Sequence, residues 1–153
     1  MIQKDTSNES GKQNKIMPLW FRIIFLLMLA WGLYFSYGVY TGNSRSESKL
    51  ASMSEAGREL MLDIPTWAMF AAGIGVISGV IGVSLVLLGR KLGAYTLLIP
   101  PIMFILRDTW FLIDGRVFGL ISNLGLILSS LAVLIGIIQC VLAFNGVRKN
   151  WLK

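Results

Sequence analysis

Thr66-Trp-Ala-Met-Phe-Ala-Ala-Gly-Ile-Gly-Val-Ile-Ser-Gly-Val-Ile-Gly-Val-Ser-Leu-Val-Leu-Leu88 runs for 23 residues without a charge. As an α-helix it would reach about 34 Å, enough to cross a hydrocarbon core of about 30 Å. Pro65 just ahead of it suits a first helical turn, where a missing N–H removes no bond. Trp67 fits the membrane–water interface. This segment reads as a transmembrane helix, and it sets the frame for the rest of the chain.

Three further apolar runs flank it. One extends from about Trp20 to Tyr40, with Arg22 at its edge and an aromatic-rich exit of Trp31, Tyr34, Phe35, Tyr37 and Tyr40. Its length and the bulky residues around Ser36-Tyr37-Gly38 favour an uncleaved anchor over a signal peptide. Another spans 92–113 and carries Arg107-Asp108 towards its far end. The last is apolar from Val117 to Phe144, longer than a bilayer needs, so the inserted part is expected at about 122–144. Of the 153 residues, 55% are hydrophobic and 14% charged, where a soluble domain carries about 25%. The chain reads as an all-α, four-helix transmembrane bundle, preceded by a disordered polar tail over residues 1–18.

The charges predict sidedness. Lys4, Lys12, Lys15, Arg22, Arg90, Lys91, Arg148, Lys149 and Lys153 fall on one side of a four-span arrangement, with Asp5 and Glu9, for a net +7. The other side has Arg45, Lys49, Arg58, Arg107 and Arg116 against six acids, for a net −1. The positive-inside rule then puts both ends in the cytoplasm. Because the positive residues border apolar spans, they argue for a lipid bilayer as partner and against nucleic acid. On the opposite side, Ser52-x-x-Glu55 reads as a capping box. Met53, Ala56, Leu60, Met61 and Ile64 follow at helical spacing, so a short amphipathic helix on the outer surface is expected between spans one and two.

Small residues mark the packing faces. Ala71, Gly75 and Gly79 recur every four residues, with Ser78 and Gly82 on a neighbouring stripe; Gly125/Ser129 and Ala132/Gly136 repeat the spacing in span four. Such spacing lets backbones approach closely where lipid gives no hydrophobic drive. Spans two and four are therefore expected to touch, or to supply a face for a homo-oligomer. Pro100-Pro101 deprives the carbonyls of Thr96 and Leu97 of their usual N–H partners, so span three should kink or break near its middle.

The candidate ligand-binding residues are few. Arg107 and Asp108 either end span three as a snorkelling pair or line an outward-facing cavity. Pointing about 100° apart, they are expected to find other partners: Asp63, Asp114 or the ring of Trp110 for Arg107. Asn123 and Gln139 are weaker candidates for the same cavity. With no histidine and one cysteine, Cys140, the chain has no zinc-type ligand set and no disulfide of its own. Cys140 reads as a small buried hydrophobe. No catalytic motif is present, so an enzyme is not expected, and no metal or cofactor is implied.

Met17-Pro18-Leu19-Trp20-Phe21, Trp31-Gly32-Leu33-Tyr34, Pro65-Thr66-Trp67, Leu87-Leu88-Gly89-Arg90-Lys91 and Trp151 together resemble a family of small four-span bacterial inner-membrane proteins catalogued as sugar transporters. Gly32, where a polar residue is usual, and Arg107-Asp108 depart from its pattern. The resemblance implies a bacterial inner-membrane location and a transporter-like role for a small polar solute, and it carries no site residues with it. The competing expectation is a non-transporting membrane subunit or scaffold, using the span-two glycine face and the outer loop.

Overall fold

A computed structural model describes residues 16–114 and 123–153, with side-chain surroundings given at all of these except 43, 114, 123–126, 128 and 129. Among the described residues the helices are, in order, α1 Leu19–Asn43, α2 Glu47–Ala51, α3 Glu55–Asp63, α4 Thr66–Leu87, α5 Lys91–Thr96, α6 Ile99–Asp114 and α7 Asn123–Arg148. Four stretches are long and apolar enough to cross a membrane: Leu19–Gly42, Thr66–Leu87, Lys91–Ile113 and Ser130–Arg148. The four-helix expectation holds. Span four continues to Arg148, four residues past the expected end, because only Asn145 and Gly146 interrupt its apolar run before the first charge.

Helix α4 lies at the centre, packed on α1 along one side and on α5 and α6 along the other, while α7 packs on α5 and α6. Among the described residues, the small-residue stripes of spans two and four border one hollow, and each is packed by span three. A Cβ on Gly75 would lie 3.2 Å from Met103 Cβ, one on Gly79 3.4 Å from Pro100 Cγ, and one on Gly82 2.8 Å from Leu97 Cγ. From the opposite side, Gly136 of α7 faces Pro101 Cδ at 3.5 Å. The double proline is a wedge whose two rings fill the hollows that glycine leaves on either neighbour. Gly125 and Ser129 lie outside the residues whose side-chain surroundings are described.

Span three breaks rather than kinks, and earlier than expected. Helix α5 stops at Thr96, Leu97 and Leu98 form a turn, and α6 restarts at Ile99. Pro100 and Pro101 then stand in the first turn of α6, where their missing N–H groups remove no helical bond. The break still orphans the Leu97 carbonyl, and Cys140 Sγ of α7 donates to it at 2.9 Å. Cys140 is buried as expected, but it is also the hydrogen-bond donor that the break requires.

The densest packing sits at the end of the bundle that holds Arg22, Arg90, Lys91, Arg148, Lys149 and Lys153. Phe21, Phe25, Val83, Val86, Leu97, Ala143 and Leu152 form its core. Met17 also belongs to this core, so the last residues of the expected polar tail are tucked in; residues 1–15 lie outside the described residues. Two helices end here in the same way. Gly89 (φ 75°) follows α4 and Asn150 (φ 57°) follows α7, each in the left-handed region. Arg90 N donates to Leu85 O at 2.8 Å and Trp151 N to Gly146 O at 2.9 Å, closing two Schellman motifs. The two ends are stitched together. Lys153 N donates to Gly89 O and Lys91 N to Lys153 O, both at 2.6 Å. Trp151 stands edge-on to both Trp20 and Phe21, 5.7 and 5.3 Å between ring centres, which fixes α1 to the same seam.

At the other end, two short helices replace the one expected. Ser52 ends α2 instead of starting a capping box; Ser54 is the N-cap of α3 and its hydroxyl accepts from Gly57 N at 3.3 Å. The reason is a two-residue offset: Ser52 N bonds back to Lys49 O and so completes the preceding turn. Leu60 and Met61 of α3 are buried, which gives it the expected amphipathic face. Lys49 Nζ donates to the carbonyls of Thr41 and Gly42 at 2.6 Å each, capping α1. Arg45 Nη2 donates to Ile64 O at 2.7 Å, tying the loop to the start of α4.

Candidate functional site

Where the glycine stripes are not filled by the prolines, a hollow is left. It is bounded by Met28, Trp31, Gly32 and Phe35 of α1, Gly75 and Gly79 of α4, Pro100 and Phe104 of α6, and Ala132, Gly136 and Gln139 of α7. Its volume is about 50 Å³. That is room for a few waters, well below the roughly 300–1,000 Å³ of small-molecule sites. Helices α1 and α7 form its two sides, with α4 and α6 as the floor, and α1 comes close to α7 where Phe21 faces Gly146. Phe35 and Phe104 close one edge with a T-shaped contact, 5.6 Å between centres.

Gln139 is the polar feature of this hollow. It is 7% exposed as a residue, and since no buried side-chain nitrogen or oxygen among the described residues lacks a partner, its amide is not sealed in the core but borders the hollow. At membrane depth an amide carries two donors and one acceptor that lipid cannot satisfy, at a cost of about 1–3 kcal/mol on protein scales. Ser78 of α4, equally buried, is satisfied within its own helix by donating to Ile74 O at 2.6 Å. Gln139 differs in lining the hollow, so its amide is presented to whatever enters that space.

The charged pair belongs elsewhere. Arg107 Nε and Nη2 both donate to Asp108 Oδ1, at 2.9 and 2.6 Å, so the two do pair although they are neighbours on one helix. The three-methylene stem of arginine spans the angular gap that a short side chain could not, and its fork converges on one oxygen. The guanidinium lies 5.4 Å from the centre of Phe104 and 5.6 Å from that of Phe111, so these rings take the place expected for Trp110. Both side chains are partly buried, 16% and 25% exposed. They do not line the hollow with Gln139; Phe104 stands between, lining the hollow on one face and carrying Arg107 near its ring. The side chain of Asn123 lies outside those described.

Two further grooves lie among the described residues. One, about 410 Å³, opens where α1 and α4 diverge towards the α2–α3 end, lined by Ser36, Val39, Tyr40, Ser44, Gly73, Val76 and Ile77. Ser36 already donates to Gly32 O, so its hydroxyl is committed. The other, about 270 Å³, lies at the basic end beside Arg22 and Lys153.

Sequence reasoning misses Gly93, Asn150 and the Trp151–Lys153 seam. A left-handed Asn just past an apolar helix is a signal that could have found Asn150. The other contacts join segments far apart in the chain and leave no local pattern. No family model, curated protein or solved structure matches the chain, and what its residues establish is an all-α protein with four helices that could span a membrane.

Proposed function

We infer that the protein is a multi-pass membrane subunit that acts by associating with another transmembrane helix along the α1–α7 hollow. The supporting observation is Gln139, a membrane-depth amide that lines a hollow of about 50 Å³, too small for a solute of sugar size. A helix laid between α1 and α7 would bring a backbone or side-chain polar group to that amide, and interhelical bonds of this kind contribute about 0.6–2 kcal/mol. A second copy of the chain is the first partner to test.

The experiment places a photo-crosslinking residue at Ala132, on the rim of the hollow, in cells. A covalent adduct of defined mass supports the reading if Gln139→Leu abolishes it and Gln139→Asn retains it. Gln139→Leu should leave the isolated protein folded, because leucine is apolar and of similar size. Finding only lipid-sized adducts, unchanged by Gln139→Leu, would rule the reading out.

Transport of a small polar solute, the role implied by the sugar-transporter resemblance, has one observation in its favour: the partly buried Arg107–Asp108 pair one turn beyond Phe104. It requires either an oligomer or a more open conformation to supply a wider path. Uptake of labelled sugars or polyols into proteoliposomes, lost in Arg107→Ala and Asp108→Ala, would favour it; no flux of any would sink it.

The bacterial inner membrane rests on the same resemblance, and both termini in the cytoplasm on the charge bias. The described basic residues Arg22, those of the α4–α5 turn and those at the end of α7 share one end of the bundle, as that orientation requires.

A further inference from the structure

We propose that the groove at the basic end binds the phosphate of an anionic phospholipid. The groove exists because of the seam: the residues after α7 turn back, bond to the α4–α5 turn, and leave a recess against the start of α1. Arg22 and Lys153 stand on its walls with Ile16, Leu88 and Trp151. Its volume of about 270 Å³ suits a headgroup rather than a whole lipid. Arginine offers a fork matched to two phosphate oxygens, and lysine a movable point charge.

Three observations select the ligand. The first is depth: the recess lies where the apolar run of α1 begins at Leu19, the level of headgroups once that helix spans a bilayer. The second is the mixed character of the walls. Ile16 and Leu88, 86% and 74% exposed, give acyl chains an apolar surface beside the charges. The third is the field. Arg90, Lys91, Arg148 and Lys149 crowd the same end, and among the described residues it holds no acidic side chain. A carboxylate on Lys153 would lower that surplus by one and leave it strongly positive. A zwitterionic headgroup would bring its own cation into this field, whereas an anionic one would not.

This inference is independent of the role of Gln139 and of which side faces the cytoplasm. The test is native mass spectrometry of the full chain in neutral detergent, titrated with dioleoyl phosphatidylglycerol, dioleoyl phosphatidylcholine or inorganic phosphate. Phosphatidylglycerol should be retained at lower concentration than phosphatidylcholine. Arg22→Gln combined with Lys153→Gln should weaken phosphatidylglycerol by about tenfold or more and leave phosphatidylcholine unchanged. Arg22→Lys should keep most of the binding, and Arg45→Gln at the opposite end all of it. Equal binding of the two lipids, or an undiminished phosphatidylglycerol affinity in the double variant, would overturn the proposal. Displacement of the lipid by millimolar phosphate would overturn it too, in favour of a soluble anion.

Discussion

Replacing Gly93 with alanine sets a methyl group against the backbone of α4. The added Cβ would lie 2.6 Å from Val86 N, 2.7 Å from Gly82 O and 2.9 Å from Leu85 Cβ. Two of these are main-chain atoms of a helix and cannot swing aside. To restore an ordinary contact of 3.4 Å, α5 must retreat from α4 by about 0.8 Å. A gap of that size forfeits a quarter to a half of each dispersion contact along the seam. Overpacking of this kind costs about 1–3 kcal/mol, against which alanine regains up to about 1 kcal/mol of helix propensity. The expected net loss is about 1 kcal/mol, or roughly fivefold in the folded-to-unfolded ratio. Gly73→Ala is the matched control, since nothing lies within 4 Å of its would-be Cβ. That variant should be neutral or slightly more stable. Unfolding in mixed micelles with increasing dodecyl sulfate, followed by tryptophan fluorescence, measures both. If the two variants unfold together, the close α4–α5 approach is not how the hairpin packs.

Cys140→Ala should destabilise by about 1–3 kcal/mol, since it leaves the Leu97 carbonyl without its donor, and Cys140→Ser should recover much of the loss. The same unfolding assay decides, and equal stability of the two variants would show that the thiol packs without donating. Asn150→Gly should be tolerated, whereas Asn150→Val should lower the unfolding midpoint by the cost of a β-branched side chain at φ 57°. In intact cells, a membrane-impermeant maleimide should label Ser48→Cys and not Lys149→Cys. The native Cys140 is buried and should stay silent; labelling of Lys149→Cys alone would invert the proposed orientation.

Hydropathy and charge are properties of contiguous residues, which is why the four spans and the shared basic end are legible in the chain's linear order. The break in span three is legible too, because a double proline has a local mechanism; its position is not. Prolines prefer a first turn, so the interruption falls ahead of them at Leu97–Leu98. The capping box fails for a related reason: two serines compete within three residues, and the hydrogen bonds of the preceding turn select Ser54. What a single sequence does not reveal is tertiary. That Gly79 and Gly136 each face a proline, or that Cys140 meets Leu97, depends on span three lying between spans two and four. In the candidate site, Gln139 is legible as a membrane-depth amide. The pairing of Arg107 with Asp108 is not, because helical-wheel angles ignore the reach of a long side chain.

The turn at Leu97–Leu98 also has a mechanical meaning. It joins a short helix clamped against α4 to one of 16 residues, about 24 Å long. Were α6 to pivot about that turn, a swing of about 10° would displace its far end by roughly 4 Å. Phe104 and Arg107 ride on that helix. Such a swing would change the width of the hollow beside Gln139 and carry the ion pair with it, and what resists it is the packing of Met103 and Pro100 against Gly75 and Gly79 and the Cys140 thiol bonded at the turn.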